Sequence, residues 1–275
     1  MKTGFNRVIM EDDINNILHR RQTDEGVLRL TMNDQKNRNA LSEAMMNNLI
    51  EELTIATSKR SIRVVIIASN GSVFSAGHDL KEITAARDQK DFGEAYFKSL
   101  FDTCSSLMQL IVSCSKPVIA EVGGTATAAG CQLVASCDLA TAADSARFAT
   151  PGVNIGLFCS TPMVALSRNV NKKNAMEMLL TGDMINAKKA KEIGLINSYF
   201  QPEELTKETM VLANKIASKS PAIVSMGKGA FYAQSELDTH AAYEYTSRVM
   251  VKNILNKEAK EGIGAFIEKR SPKWE

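Results

Sequence analysis

Apolar residues recur in short alternating or wholly apolar runs up to about residue 200, and at helical spacing beyond it. Val27–Met32 alternates and predicts a strand that ends at Asn33-Asp34. Ser42 is placed to cap a helix whose Met45, Leu49, Leu53 and Ala56 share one face. Residues 63–68 read as a short apolar strand of the buried parallel kind, so strand, helix and strand form a β-α-β unit with a right-handed crossover. Residues 69–72 predict a turn, and the charged, weakly patterned stretch 81–95 predicts a mobile loop. From Phe97 to Val112, Leu100, Phe101, Cys104, Leu107, Met108 and Ile111 fall on one helical face. Residues 1–24 show no clear period and read as a ragged lead-in or an edge strand.

The stretch from Pro117 to Pro162 organises the rest. A β-branched run reaches Val122, meets Gly123-Gly124, and leads through small residues into an apolar helix beginning near Ala129. Small residues let backbone approach a ligand closely. The first helical turn adds unpaired N–H groups and the positive end of the dipole, which suits an oxyanion. Ala175–Leu180 predicts a helix stopped by Gly182, Ala187–Gly194 another, and Ile196–Phe200 a strand. Pro202–Ser220 is amphipathic, and residues 222–270 read as almost wholly helical, broken near Gly262 and Gly264. The pattern divides into an α/β core over residues 1–200 and a helical region over 201–275.

Composition narrows the function classes. With 275 residues, 44% apolar and 23% charged, the chain fits a globular enzyme with a sizeable core. A net charge of +2 offers no basic stripe for nucleic acid and no charged face for a membrane surface. No apolar run approaches the ~20 residues that span a bilayer. The five cysteines form no CxxC pair and sit among apolar residues, as unbridged thiols do in a reducing compartment. With Glu11-Asp12-Asp13 arguing against a transit peptide, a cytoplasmic location is expected.

A series of motifs then follows in order: Asn39-Ala40-Leu41, Phe74–Lys81 (FSAGHDLK), Ala128–Leu133 (AAGCQL), Cys137-Asp138, Phe148–Pro151, Leu180–Gly182, Ala187–Leu195 and Glu261–Lys269. Together they resemble the enoyl-CoA hydratase/isomerase (crotonase) family over essentially the whole chain. The resemblance implies a crotonase-like spiral of ββα units with a helical C-terminal trimerisation region, assembled as a trimer or dimer of trimers. It implies an acyl-CoA thioester substrate, no metal, and no cofactor besides the coenzyme A that the substrate carries. The thioester oxygen would be held by the backbone N–H groups of His78 and Ala129. Preformed donors of this kind are worth roughly 10²–10³ in rate each. By the same resemblance, Lys36, Asn37 and Ala40 would run beside the adenine, while Ala76 and Leu80 flank the pantetheine. Gly130 and Pro151 would also bind the substrate, and Phe266 and Lys269 would reach coenzyme A from a neighbouring subunit.

The departures from the family pattern are informative. The two glutamates that activate water in its hydratases fall on Gln132 and Gly152, and an aspartate used by some isomerases falls on Ser160. An amide orients water without taking its proton, and glycine does neither. Efficient hydration is therefore not expected, and Gln132→Glu with Gly152→Glu should raise it. His78, Cys159, Asp79 and Glu82 are the substitutes at hand. A packed ring, a small buried hydrophobe, a helix cap and a solvated carboxylate are the plainer roles for the same four side chains. Two functions stay open: an enzyme acting through enolate stabilisation, or an acyl-CoA-binding protein without turnover.

Overall fold

A computed structural model describes residues 9–15 and 17–274. Residues 1–8 of the expected lead-in lie outside them. From residue 9 the lead-in is a hairpin rather than ragged chain, with β1 (Ile9–Asn15) antiparallel to β2 (Leu18–Gln22). β2 pairs antiparallel with β3 (Val27–Met32), and β3 pairs parallel with β4 (Val64–Ser69) across α1 (Glu43–Ser58). Ser42 caps α1 as expected, its hydroxyl accepting the Met45 N–H at 3.2 Å.

From β4 onward the chain repeats one pattern: a strand in the main sheet, a three-residue strand in a second sheet, then helix. The first repeat is β4, β5 (Val73–Ser75), α2 (Leu80–Ala86) and α3 (Glu94–Ser113). The second is β6 (Val118–Val122), β7 (Thr125–Thr127) and α4 (Ala129–Ser136). The third is β8 (Leu139–Ala143), β9 (Arg147–Ala149), a 3-10 turn over Pro151–Ile155, and α5 (Ser160–Asn169). After α6 (Lys172–Thr181), β10 (Ile185–Asn186) and α7 (Ala187–Glu192), β11 (Ser198–Phe200) closes the main sheet. Among the described residues that sheet runs β1-β2-β3-β4-β6-β8-β11, and the second runs β10-β9-β7-β5. The stretch 81–95, expected as a mobile loop, starts with α2, which Asp79 caps by accepting the Lys81 N–H at 2.8 Å.

Both faces of the main sheet are covered, which explains the unbroken apolar run in β4. Val65 and Ile67 face Leu49, Leu53, Leu107 and Ile111 in the larger core. Val64, Ile66 and Ile119 pack on the other side against Ala213 and Ala217 of α8 (Pro202–Ala217). Burial of each Val, Leu or Ile contributes about 1.5–3 kcal/mol, so these two layers fix the strand order.

The last quarter is helical, but its breaks differ from expectation. α9 (Pro221–Ser235), α10 (Thr239–Ile254) and α11 (Lys257–Ile267) are separated where Asp238 and Asn256 cap the next helix. Gly262 and Gly264 lie inside α11. The Trp274 ring passes over Gly262, where a Cβ would stand 3.1 Å from it, and Trp274 Nε1 donates to the Ser218 carbonyl at 2.9 Å. Val251, Ile254, Leu255, Phe266 and Ile267 leave α10 and α11 with an exposed apolar face.

Candidate active site

The site hangs from two neighbouring short strands. β5 and β7 pair in parallel, with Val73 opposite Thr125 and Ser75 opposite Ala126, and each ends in a turn that carries one expected donor. After β5 the chain turns at Gly77, whose φ of +90° lies in the left-handed region that glycine enters without strain. A Cβ there would stand 2.9 Å from the Ala128 Cβ and 3.2 Å from the Ala129 nitrogen. The residue before the first donor thus lies directly against the second donor. A Cβ on Gly130 would collide with the Ser75 carbonyl, so α4 starts this close to β5 only with glycine there.

Ala128 holds the second turn at φ +50°, ψ −119°. For a residue with a Cβ this conformation stores roughly 1–3 kcal/mol, and such strain is found where geometry serves function. Its N–H donates to the Ala149 carbonyl at 3.0 Å, and its carbonyl accepts from Gln132 N–H at 3.0 Å, which locks the turn. The Thr127 hydroxyl donates to the Ala76 carbonyl at 3.1 Å and ties the two turns together. Neither the His78 nor the Ala129 backbone N–H donates to any acceptor in the described chain. Backbone donors without partners, one of them at the start of a helix, are of the kind that can hold an anionic oxygen.

The first loop closes over these turns. The Gln35–Asn37 3-10 turn carries Lys36 and Asn37; Asn37 Nδ2 donates to Asp34 and Lys81 Nζ donates to Asn37 Oδ1 at 3.2 Å. Ala76 N–H donates to the Arg38 carbonyl and Leu41 N–H to the Gly77 carbonyl, so Ala40 lies beside the donor loop. Asn39, buried, donates to the Asn70 and Val73 carbonyls at 2.9 and 2.7 Å and so braces the whole arrangement. Leu80 stays 54% exposed at the rim. Phe266 and Lys269, at the end of α11, are not brought to this site within one chain, and Phe266 is 85% exposed.

The acid/base candidates fare unequally. The His78 Nδ1 meets the Leu41 carbonyl at 3.4 Å, its ring packs edge-on to Phe101 at 5.5 Å, and its Nε2 is buried without a partner. Burial holds its pKa below the usual histidine value, against a smaller opposing effect of the Leu41 carbonyl, so the ring is neutral at neutral pH. Phe101, expected in the core, is 41% exposed because it lies at this rim. Asp79 caps α2, and Glu82 accepts from Tyr96 Oη at 3.2 Å and Glu43 N–H at 3.3 Å, so neither is a free base. Burial and the neighbouring Glu82 raise the Tyr96 pKa to about 12, which keeps it a donor.

Gln132 is buried one turn into α4, and its Oε1 accepts from Cys104 Sγ at 3.9 Å. His78 and Gln132 therefore lean on consecutive turns of α3, at Phe101 and Cys104. Gly152 lies within the 3-10 turn, directly after Pro151, where a Cβ would stand 2.8 Å from the Leu157 carbonyl and 2.9 Å from Cys159 Sγ. Burial raises the pKa of the Cys159 thiol, and the Gly152 N–H partly offsets this. The sequence reading missed Ala128, Ser75 and the bracing role of Asn39. Asn39 carried a signal in the Asn-Ala-Leu motif, whereas the strain at Ala128 had none.

The sequence pattern that defines the enoyl-CoA hydratase/isomerase family matches residues 22–275. The Xenopus laevis enoyl-CoA hydratase domain-containing protein 3, mitochondrial, is 47% identical over 253 residues, covering 92% of this chain and 84% of that protein. The human protein of the same name is 48% identical over 250 residues, 91% of this chain and 81% of its own. A crystal structure of an enoyl-CoA hydratase from Mycobacterium smegmatis superposes with a TM-score of 0.90 at 46% identity, over 94% of this chain and 99% of that one. The ββα spiral is thus the crotonase fold. The expected cytoplasmic location is overturned, because the frog, rat, mouse, human and zebrafish relatives are all named mitochondrial. The chain belongs to the enoyl-CoA hydratase/isomerase family.

Proposed function

We propose that the protein binds an acyl-CoA thioester with the carbonyl oxygen between the N–H groups of His78 and Ala129, and acts by stabilising the enolate formed there. The single observation that carries this reading is the pair of unpartnered backbone donors pressed together by Gly77 and Gly130. Lys36, Asn37, Ala40, Ala76 and Leu80 form the coenzyme A side. Gly130, Gln132, Pro151, Gly152 and Cys159 form the acyl side. The coenzyme belongs to the substrate, and no further cofactor enters the reading. Oligomerisation through the apolar faces of α10 and α11, with Phe266 and Lys269 reaching a neighbouring site, completes it. A mitochondrial location belongs to the same reading, supported by the relatives' names.

Hydration of an enoyl thioester is a poor fit. It requires a group to take a proton from water, and Gln132 and Gly152 supply none, while His78 is turned toward Leu41 and Phe101. The test follows loss of the conjugated absorbance of crotonyl-CoA at high protein concentration, with coenzyme A binding measured on the same sample. Binding with little or no hydration is expected. Rapid hydration would refute the assigned acyl side, and absence of binding would refute the reading altogether.

A further inference from the structure

α11 has little of its own to hold it in place. It has 11 residues, short of the ~12–15 at which an isolated helix becomes even marginal in water. Two of them are Gly262 and Gly264, glycine being the poorest helix former after proline. Only Glu258 and Ala265 are buried, so core packing offsets little of this. A Cβ on Gly264 would meet nothing within 4 Å, so no packing inside the chain calls for the second glycine. What holds α11 is the chain that follows it. At Lys269 the backbone turns back with φ +56°, and the Arg270 N–H donates to the Ala265 carbonyl at 3.0 Å, as in a Schellman stop. Arg270 then grips Glu261 with both arms of its guanidinium, Nη1 to Oε1 at 2.7 Å and Nη2 to Oε2 at 2.9 Å. The Lys273 N–H adds a third bond to Glu261 at 2.8 Å. Together Arg270 and Lys273 hold the Glu261 carboxyl down to about 2, so it stays ionised. Trp274 closes the return: its ring lies on Gly262, and its Nε1 donates to the carbonyl of Ser218, the C-terminal cap of α8.

We propose that residues 270–274 are a strap that orders α11, with Glu261, Arg270 and Trp274 as positioning residues for coenzyme A binding. The proposal rests on the reading above, in which Phe266 and Lys269 reach the coenzyme A of a neighbouring subunit. Both lie at the end that the strap holds. Lys269 is the residue at which the chain turns back, and Phe266 follows Gly262 by one turn. With Trp274 seated on Gly262, the two side chains leave the helix from a fixed place. With Trp274 released, a short helix containing two glycines frays, and only its ordered fraction binds. The ionic part of the strap lies at the surface, so added salt loosens it.

Trp274 is the only tryptophan of the chain, so indole fluorescence reports the strap directly. The test compares the full chain with Glu261→Gln, Gly262→Leu and Gly264→Ala by acrylamide quenching, amide deuteration over residues 257–267 and calorimetric coenzyme A binding. Glu261→Gln removes the charge that Arg270 grips and should speed deuteration of α11 roughly two- to five-fold, the worth of an exposed ion pair. Gly262→Leu fills the space of the indole ring. Leucine is a better helix former than glycine, so faster exchange in this variant traces to the strap and not to helix propensity. It should expose the indole to quencher and weaken coenzyme A binding roughly three- to ten-fold, as the ordered share of α11 falls. Gly264→Ala should leave the indole unchanged and slow the exchange, while β4 and β6 exchange as in the parent throughout. Parent-like quenching and exchange in both Glu261→Gln and Gly262→Leu would overturn the strap. A loosened α11 that binds coenzyme A as tightly as the parent would overturn the positioning role and leave the acyl-CoA reading standing. A parent chain that does not bind coenzyme A would overturn that reading and the positioning role with it, whereas the strap itself stands or falls on the fluorescence and the exchange.

Discussion

Cys159 Sγ occupies the space that a side chain at Gly152 would enter, 2.9 Å from the point where a Cβ would stand, and the Leu157 carbonyl closes the same space from the other side at 2.8 Å. The φ of Gly152 lies outside the left-handed region, so space and not backbone conformation excludes a larger residue. Gly152→Ala should therefore cost about 1–3 kcal/mol through overpacking. Adding Cys159→Ala should recover part of the loss, because the sulfur leaves while the Leu157 carbonyl stays. Urea denaturation of the two variants measures this, and an unchanged midpoint for Gly152→Ala would contradict the packing. The Gly152→Glu half of the double restoration expected from sequence is blocked for the same reason.

Ala128 gives a prediction of opposite sign. Replacing it with glycine relieves a conformation that costs a residue with a Cβ roughly 1–3 kcal/mol, against roughly 0.5–1 kcal/mol of added unfolded-state entropy. Ala128→Gly should raise thermal stability by a net amount on the order of 1 kcal/mol. A lower Tm would show that the turn is not strained.

The buried His78 ring couples stability to pH. Its folded pKa is depressed, so the unfolded chain binds the proton more readily. Stability from this group is complete above the unfolded value of about 6.5 and is lost as pH falls toward the folded pKa. Between pH 7 and 5 the unfolding free energy of the protein should fall more steeply than that of His78→Gln. Parallel curves for the two proteins would remove His78 as the source.

Lys228 anchors the C-terminal helices. Its ammonium donates to Asp138 Oδ2 at 2.7 Å and to the Ile111 and Lys116 carbonyls at 2.9 and 3.0 Å, while Tyr232, one turn along α9, donates to Asp138 Oδ1 at 2.9 Å. Breaking this nearly buried ion pair by Lys228→Met should cost about 3–5 kcal/mol. Proteolysis is expected to cut first near Lys219, at the junction of α8 and α9. A midpoint within experimental error of the parent would show the pair to be ornamental.

Much of this fold could be read from local pattern. The runs in β3 and β4 and the Ser42 cap declare themselves within a few residues, because both sheet faces and the helix start depend on neighbours in sequence. The tight turns were also legible, since glycine and small residues at 77 and 129–130 reflect close backbone contact, whereas His78 and Ala129 as donors came from the family resemblance alone. What escaped is the set of relations made by chain returning on itself. The 3-10 turn carries Cys159 back over Gly152, Tyr96 and Glu43 bind Glu82, and Trp274 covers Gly262 and so lets α11 run through two glycines. Asp238 and Asn256 cap α10 and α11, and these caps, not Gly262 and Gly264, set the breaks.

The pairing of β5 with β7 has a consequence for exchange kinetics. Each strand has three residues, and each runs into one of the two turns proposed to carry a donor. A ligand oxygen held by both N–H groups would bridge the two strands at a third point and oppose their separation. Saturation with a thioester should then slow amide deuteration along Val73–Ser75 and Thr125–Thr127, while β4 and β6, held on both sides in the main sheet, should change little. The smaller sheet would thereby report occupancy of the proposed oxygen site.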